Sequence, residues 1–330
     1  MLIEYYIVHR KPVAFLITAK GIEARRLSCD LSEIERLAGL FRLNVDAVRV
    51  SGPLQAPALR ANAETLLRQL YTLLLAPLED ALTGCERLIV VPHGPLHYLP
   101  FHAMHDRDAF LLERYEISYL PNASLMPYCT SAPSAGLEPL VIGHSHGGRL
   151  PHAVEEAQTV AALLGGAPLL EDGASLARLR ELAPTCGVLH LAAHGTFRPD
   201  DPLFSGLALA DGWLTTLDVF NLHLTAALVT LSACRSGQNL IGGGDELQGL
   251  MRAFLYAGAS SLALTLWAVE DLSMARLMEI FYRKLAKGST KAAALRHAQR
   301  SFIDGDVGGD PYSHPYYWAP VFLTGDAGPL

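Results

Sequence analysis

Two short apolar runs, each ending in one reactive side chain with a glycine close behind, constrain this chain more than any other feature. They are Val188-Leu-His-Leu-Ala-Ala-His194-Gly195 and Ala227-Leu-Val-Thr-Leu-Ser-Ala-Cys234-Arg-Ser-Gly237. Near-continuous hydrophobicity over this length is the pattern of strands buried on both faces in a parallel sheet. Both runs carry their polar chemistry at the carboxyl end, and in open α/β sheets ligands bind in the crevice at those ends. The spacing therefore predicts an imidazole and a thiol meeting on one rim as a base and a nucleophile.

The chain has 330 residues, enough for two domains or one two-lobed unit. With 50% of residues hydrophobic and only 18% charged, it is built to fold around a substantial core. A net charge of -7 with no basic run argues against a nucleic-acid surface, because phosphate neutralisation needs clustered Lys and Arg. No apolar run reaches membrane-spanning length, and Glu4 interrupts the start, which lacks the basic-then-apolar order of a secretory signal. Five scattered cysteines, at 29, 85, 129, 186 and 234, fit neither a disulfide framework nor paired zinc spacing. The expectation is a reducing, cytoplasmic setting without contact with membrane or nucleic acid.

Residues 2–30 alternate as strands, with a hairpin turn at Lys20-Gly21. Helices are expected over Leu31–Leu43, capped by Ser32, and over Ala56–Leu82, followed by strands at Arg87–Val91 and Tyr115–Leu120. The small-residue and proline segment at 131–136 is the best boundary, dividing an α/β lobe over 1–134 from a second domain over 135–330. In the second half strands at Pro139, Pro168, Val188, Ala227, Ser261 and Trp318 are separated by helix-length segments, which implies crossovers and a mostly parallel sheet.

A thiol attacks a carbonyl as thiolate, so Cys234 needs a nearby base, and His194 fits the need. A glycine after the base lets backbone approach a substrate, making the N–H groups of Gly195 and Cys234 the expected oxyanion donors. The plain alternative is a core cysteine and a satisfied interior histidine. Gly143-His-Ser145-His-Gly147 matches the nucleophile elbow of serine esterases, but an elbow needs its helix directly after the serine, and the evident helix starts near Ala153. His93, His97, His102 and His105 have tempting spacing, yet Pro95 and Pro100 break any helix that would align them, and no metal is expected. His144, His146 and His152 read in the same way, as packed loop imidazoles. Gly242 to Gly244 lack the Lys-Ser/Thr ending of a phosphate loop.

Five ordered stretches resemble the CHAT domain, a family of caspase-like and separase-like cysteine peptidases. They are Val188 to Phe197, Leu228 to Gly237, Gly244 to Ala259, Leu266-Trp267-Ala-Val-Glu-Asp271 and His314 to Asp326. Looser similarity, including Leu88 to His102, reaches back to near residue 1. The resemblance implies a caspase-like, mostly parallel sheet flanked by helices, preceded by a smaller, catalytically inert pseudo-caspase-like α/β lobe. It implies a cysteine endopeptidase with His194 as base and Cys234 as nucleophile, a protein or peptide substrate, and no cofactor. It also implies release by a regulatory partner, and work in bacterial defence or cell death. Trp267 and Asp271 resemble the separase segment that receives a basic P1 side chain, with Asp245 and Glu246 a second acidic source. An acidic wall favours Arg or Lys, an apolar P1 stays open, and each acid has helix capping as its plain alternative. A scaffold with a silent dyad is the alternative from a different class.

Overall fold

The computed structural model describes residues 1–129, 137–196, 198, 201–232, 245–268 and 270–330, and only the backbone of 245–248. The chain divides into two compact units. One joins Met1–Leu125 with Gln299–Ala319, and the other joins Met126–Ala298 with Pro320–Leu330. The boundary segment expected at 131–136 lies outside the described residues.

In the first unit, β1 (Leu2–Val8), β2 (Lys11–Thr18) and β3 (Gly21–Arg26) form an antiparallel meander, with Gly21 opening β3 after the expected turn. On its other side β1 pairs in parallel with β4 (Arg87–Val91), and β4 in parallel with β5 (Glu116–Tyr119). The first helix runs over Leu31–Ser51, longer than expected, and its cap is Asp30, whose carboxylate accepts the Ser32 N–H at 3.0 Å. Asn44 interrupts its apolar stripe in sequence without ending it. The Asn44 amide donates to the Leu59 carbonyl and its Oδ1 accepts from His314 Nε2, so a polar residue is satisfied inside the core. The second helix, Ala56–Leu74, stops short of the expected Leu82 because Pro77 cannot continue it; a 3-10 turn over Ala76–Leu78 follows.

In the second unit β6 (Pro139–Gly143), β7 (Pro168–Leu170), β8 (Val188–Ala192), β12 (Leu228–Ser232), β13 (Ser261–Thr265) and β14 (Val321–Gly325) lie in the order β14-β13-β12-β8-β6-β7. Every pairing is parallel except β13 with β14. Every residue of β8 and of β12 is buried, which accounts for their unbroken apolar character. Between them the chain builds a small antiparallel sheet, β11-β10-β9, from β9 (Gly195–Thr196), β10 (Gly206–Leu209) and β11 (Gly212–Thr215), then a helix over Thr216–Phe220. The architecture is the expected α/β one, a mostly parallel sheet flanked by helices.

One polar group interrupts the core of β8. His190 is fully buried, with Nε2 3.0 Å from Glu156 Oε1 and Nδ1 3.2 Å from the Tyr282 hydroxyl, which in turn lies 2.6 Å from Thr230 Oγ1. Glu156 and Tyr282 sit on the helices Pro151–Leu164 and Asp271–Leu285. The Tyr282 hydroxyl thus ties the helix Asp271–Leu285 to both neighbouring strands, while Glu156 Oε1 approaches His190 Nε2 without forming a hydrogen bond.

Candidate active site

The ends of the central strands fix the site. Ser232 of β12 stands opposite Ala192 of β8, and the Ala193 N–H donates to the Ser232 carbonyl at 3.4 Å. On the other flank the His144 N–H donates to the Ala192 carbonyl at 2.9 Å, so the loop after β6 is laced to the same rim. His194 follows Ala192 by two residues, and Cys234 follows Ser232 by two. Cys234 itself lies outside the described residues.

The His194 carbonyl accepts the Ala208 N–H at 2.8 Å, which turns the chain into β9. This makes Ala208 and His194 a hydrogen-bonded pair, so the next one along, Leu207 with Gly195, is the non-bonded kind. The Gly195 N–H is thereby directed away from β10, and β9 is an outer strand of its sheet.

The His194 ring is half-buried. The ring of His146, from the loop after β6, stacks on it with centroids 4.8 Å apart and planes 10° from parallel. Trp213 of β11 meets His194 edge-on at 6.1 Å and His146 at 6.4 Å. Burial lowers the His194 pKa below the ordinary histidine value of 6.5, and electrostatic repulsion from His146 and Arg149 lowers it further. A histidine pKa lowered from 6.5 favours the neutral imidazole, the form that acts as a base, at physiological pH. Sequence alone reads His146 as a packed loop imidazole within the Gly143–Gly147 motif and passes over Arg149 and Trp213; their places beside His194 arise only when the β6 loop and the β10–β11 hairpin converge on it.

Ser145 does not stand at a nucleophile elbow. Its hydroxyl oxygen accepts the Gly148 N–H at 3.1 Å, its carbonyl accepts the Leu150 N–H, and the helix begins only at Pro151. Asp271 is the first residue of the helix Asp271–Leu285, whose N-cap is Glu270. Its carboxylate caps a different helix: Oδ2 accepts the His152 N–H at 2.7 Å, at the start of Pro151–Leu164, where the N-cap Leu150 makes no side-chain cap hydrogen bond. Burial raises the Asp271 carboxyl pKa and nearby Glu156 adds to the rise, against the lowering effect of the His152 N–H. Trp267 lies half-buried just beyond β13, and one carboxylate oxygen of Glu270, between Trp267 and Asp271 in sequence, is buried without a hydrogen-bond partner. Asp245 and Glu246 open the helix Asp245–Tyr256, but their side chains lie outside the described residues.

Among the described cysteines, Cys29, Cys129 and Cys186 are buried. Burial pushes the thiols of Cys29 and Cys129 up and that of Cys186 to about 11, which suppresses thiolate at neutral pH. The expected packed imidazoles appear in the first unit, where His102 Nδ1 lies 2.8 Å from the Tyr119 hydroxyl and Nε2 3.0 Å from the Ala319 carbonyl.

Comparison with known proteins agrees with this architecture. Human tetratricopeptide repeat protein 28 is 26% identical, over 80% of this chain and 13% of its own length; the chain thus spans about an eighth of that relative. Among solved structures, the Arg-specific cysteine proteinase gingipain R superposes with a TM-score of 0.54 at 11% identity, covering 83% of this chain and 69% of that one. Saccharomyces cerevisiae separase in complex with securin gives 0.49 at 12% identity, over 72% of this chain and 16% of that one. The gingipain likeness shows the expected caspase-like fold. The CHAT domain model matches residues 64–326, most of the chain, which therefore belongs to the CHAT domain family.

Proposed function

We propose that the chain is a cysteine endopeptidase in which Cys234 is the nucleophile and His194 its base. One observation carries the reading: β8 and β12 run in parallel with Ala192 opposite Ser232, and the two reactive residues stand at equal steps past that pair. His194 takes the thiol proton as sulfur bonds to the scissile carbonyl carbon, and the Gly195 and Cys234 N–H groups receive the oxyanion. When the tetrahedral adduct collapses, the C–N bond breaks and His194 returns the proton to the departing amine. Water, deprotonated by His194, then cleaves the acyl-thioester and frees the thiol. No step needs a metal or cofactor.

For substrate choice we infer a basic P1 residue. Gingipain R is described as Arg-specific, and in this chain Glu270 and Asp271 put two carboxylates just beyond Trp267. Since Asp271 Oδ2 already serves as a cap, Asn at 271 keeps an acceptor for the His152 N–H while removing the charge. Control by a protein partner belongs to the same proposal.

A peptide library randomised at P1, incubated with the chain and read by mass spectrometry, tests both parts. Cleavage after Arg or Lys, abolished in Cys234→Ala and in His194→Ala and weakened in Asp271→Asn or Glu270→Gln, is expected. Cleavage that survives Cys234→Ala removes the proposed nucleophile, and indifference to both acidic substitutions removes the basic P1 assignment.

A further inference from the structure

We propose that His146 is a positioning residue for His194: its stacked ring fixes the plane of the catalytic base and holds that base in its neutral form. The inference rests on the endopeptidase reading above, but the contact itself is independent of turnover.

Three features of the loop converge on that stack. His146 adopts a left-handed backbone conformation, φ 52°, followed by Gly147 at 69° and Gly148 at 80°. A side-chain-bearing residue rarely holds this region unless its surroundings require it. The turn is pinned at its start, where the Ser145 N–H donates to Glu171 Oε2 at 3.3 Å, its carbonyl accepts from Leu150 and its hydroxyl from Gly148. The outcome is a ring lying 10° from parallel with that of His194, with Trp213 edge-on to both. On the opposite flank His144 Nδ1 lies 3.1 Å from the Ala208 carbonyl, fastening the loop to the strand that also holds the His194 carbonyl.

Among the described residues, the charged and titratable groups facing the base come chiefly from the β6 loop. From the β6 loop they are His146 and Arg149, with His144 beyond His146. The β10–β11 hairpin presents Trp213, and Asp211 at its turn is turned to the helix at Leu176, whose N–H it accepts at 2.7 Å. Strand β12 carries no ionisable side chain over Leu228–Ser232. Electrostatic repulsion from His146 and Arg149 disfavours a second proton on His194, and a flat neighbour excludes water from one ring face. Both effects act in the same direction, lowering the His194 pKa. Neutral His194 is the form that can accept the thiol proton.

His146→Asn tests the proposal, because Asn tolerates the left-handed conformation but supplies no ring. His146→Phe restores a ring that cannot ionise. The full chain is followed by the NMR titration of His194, which needs no turnover, and by the pH profile of peptide cleavage. In His146→Asn the His194 titration and the acid limb of kcat/KM should both move up, by about half a pH unit or more. At neutral pH kcat should fall about ten-fold with KM little changed. His146→Phe should recover most of the kcat and only part of the titration shift. A His194 titration that superimposes on wild type in both variants overturns the proposal. If it moves in a chain whose wild-type form cleaves no peptide, the peptidase reading fails and the coupling of the two rings stands.

Discussion

At the scale of single residues, Asp271 has a capping role beside the substrate contact proposed for it. Its place after Trp267 suggests substrate contact, while its carboxylate also closes the start of the helix Pro151–Leu164 by accepting the His152 N–H. Loss of such a cap costs about 1 kcal/mol. Asp271→Ala should therefore lower the unfolding free energy measured in urea by about 1 kcal/mol, and Asp271→Asn, which retains an acceptor, should stay close to wild type. Equal midpoints for Asp271→Ala and wild type would show that the contact contributes nothing to stability. The proposal of His194 and Cys234 could be made from sequence because each follows a buried apolar run with a glycine close behind. The His146 stack was not legible there, since Gly147-Gly148 announce a turn but not which ring that turn carries onto His194.

At the scale of elements, strands were easier to read than helix ends. The runs at Val188 and Ala227 became β8 and β12 because buried parallel strands need apolar residues on both faces. The first helix outran its expected end at Leu43 because buried Asn44 finds partners in Leu59 and His314, distant contacts invisible to local pattern. The β10–β11 hairpin that brings Trp213 to the site falls in the interval between the two motifs, where neither run suggested it. The packing of β6 on its helix turns on one glycine. A Cβ at Gly143 would meet Ala157 Cβ at 2.6 Å and the Ala153 carbonyl oxygen at 3.0 Å, so the helix must move. Gly143→Ala should destabilise the chain by about 1–3 kcal/mol in urea unfolding. Because the His146 loop springs from this strand, cleavage should also fall. An unchanged midpoint would mean that strand and helix are not in the close contact described.

At the scale of the whole molecule, two buried histidines of the first unit link stability to pH. His102 Nε2 faces the Ala319 carbonyl and must donate, leaving Nδ1 to accept from the Tyr119 hydroxyl. His314 Nδ1 accepts the Tyr316 N–H while Nε2 donates to Asn44 Oδ1. Neither ring has a nitrogen left for a second proton, and burial holds both pKa values down to about 4, with Arg60 adding to the effect at His314. Unfolded, each takes its proton near 6.5, so between 6.5 and 4 the unfolded chain binds more protons than the folded one. Stability should fall as pH drops through that window, by on the order of 3 kcal/mol for each histidine. Urea midpoints measured from neutral pH downward should decline steadily, whereas a flat profile would mean that these rings are not buried neutral. The division into two units shows a further limit of sequence reading, because nothing in the composition of 299–319 marks it as grouped with the first 125 residues.

The account depends on the two strand ends delivering thiol and imidazole to one another. Labelling the native chain with a peptidyl electrophile carrying Arg at P1, then mapping the adduct by mass spectrometry, tests this most directly. The result expected is a single adduct on Cys234 whose rate of formation drops at least ten-fold in His194→Ala. Labelling spread over Cys29, Cys85, Cys129 or Cys186, or a Cys234 rate untouched by His194→Ala, would contradict it.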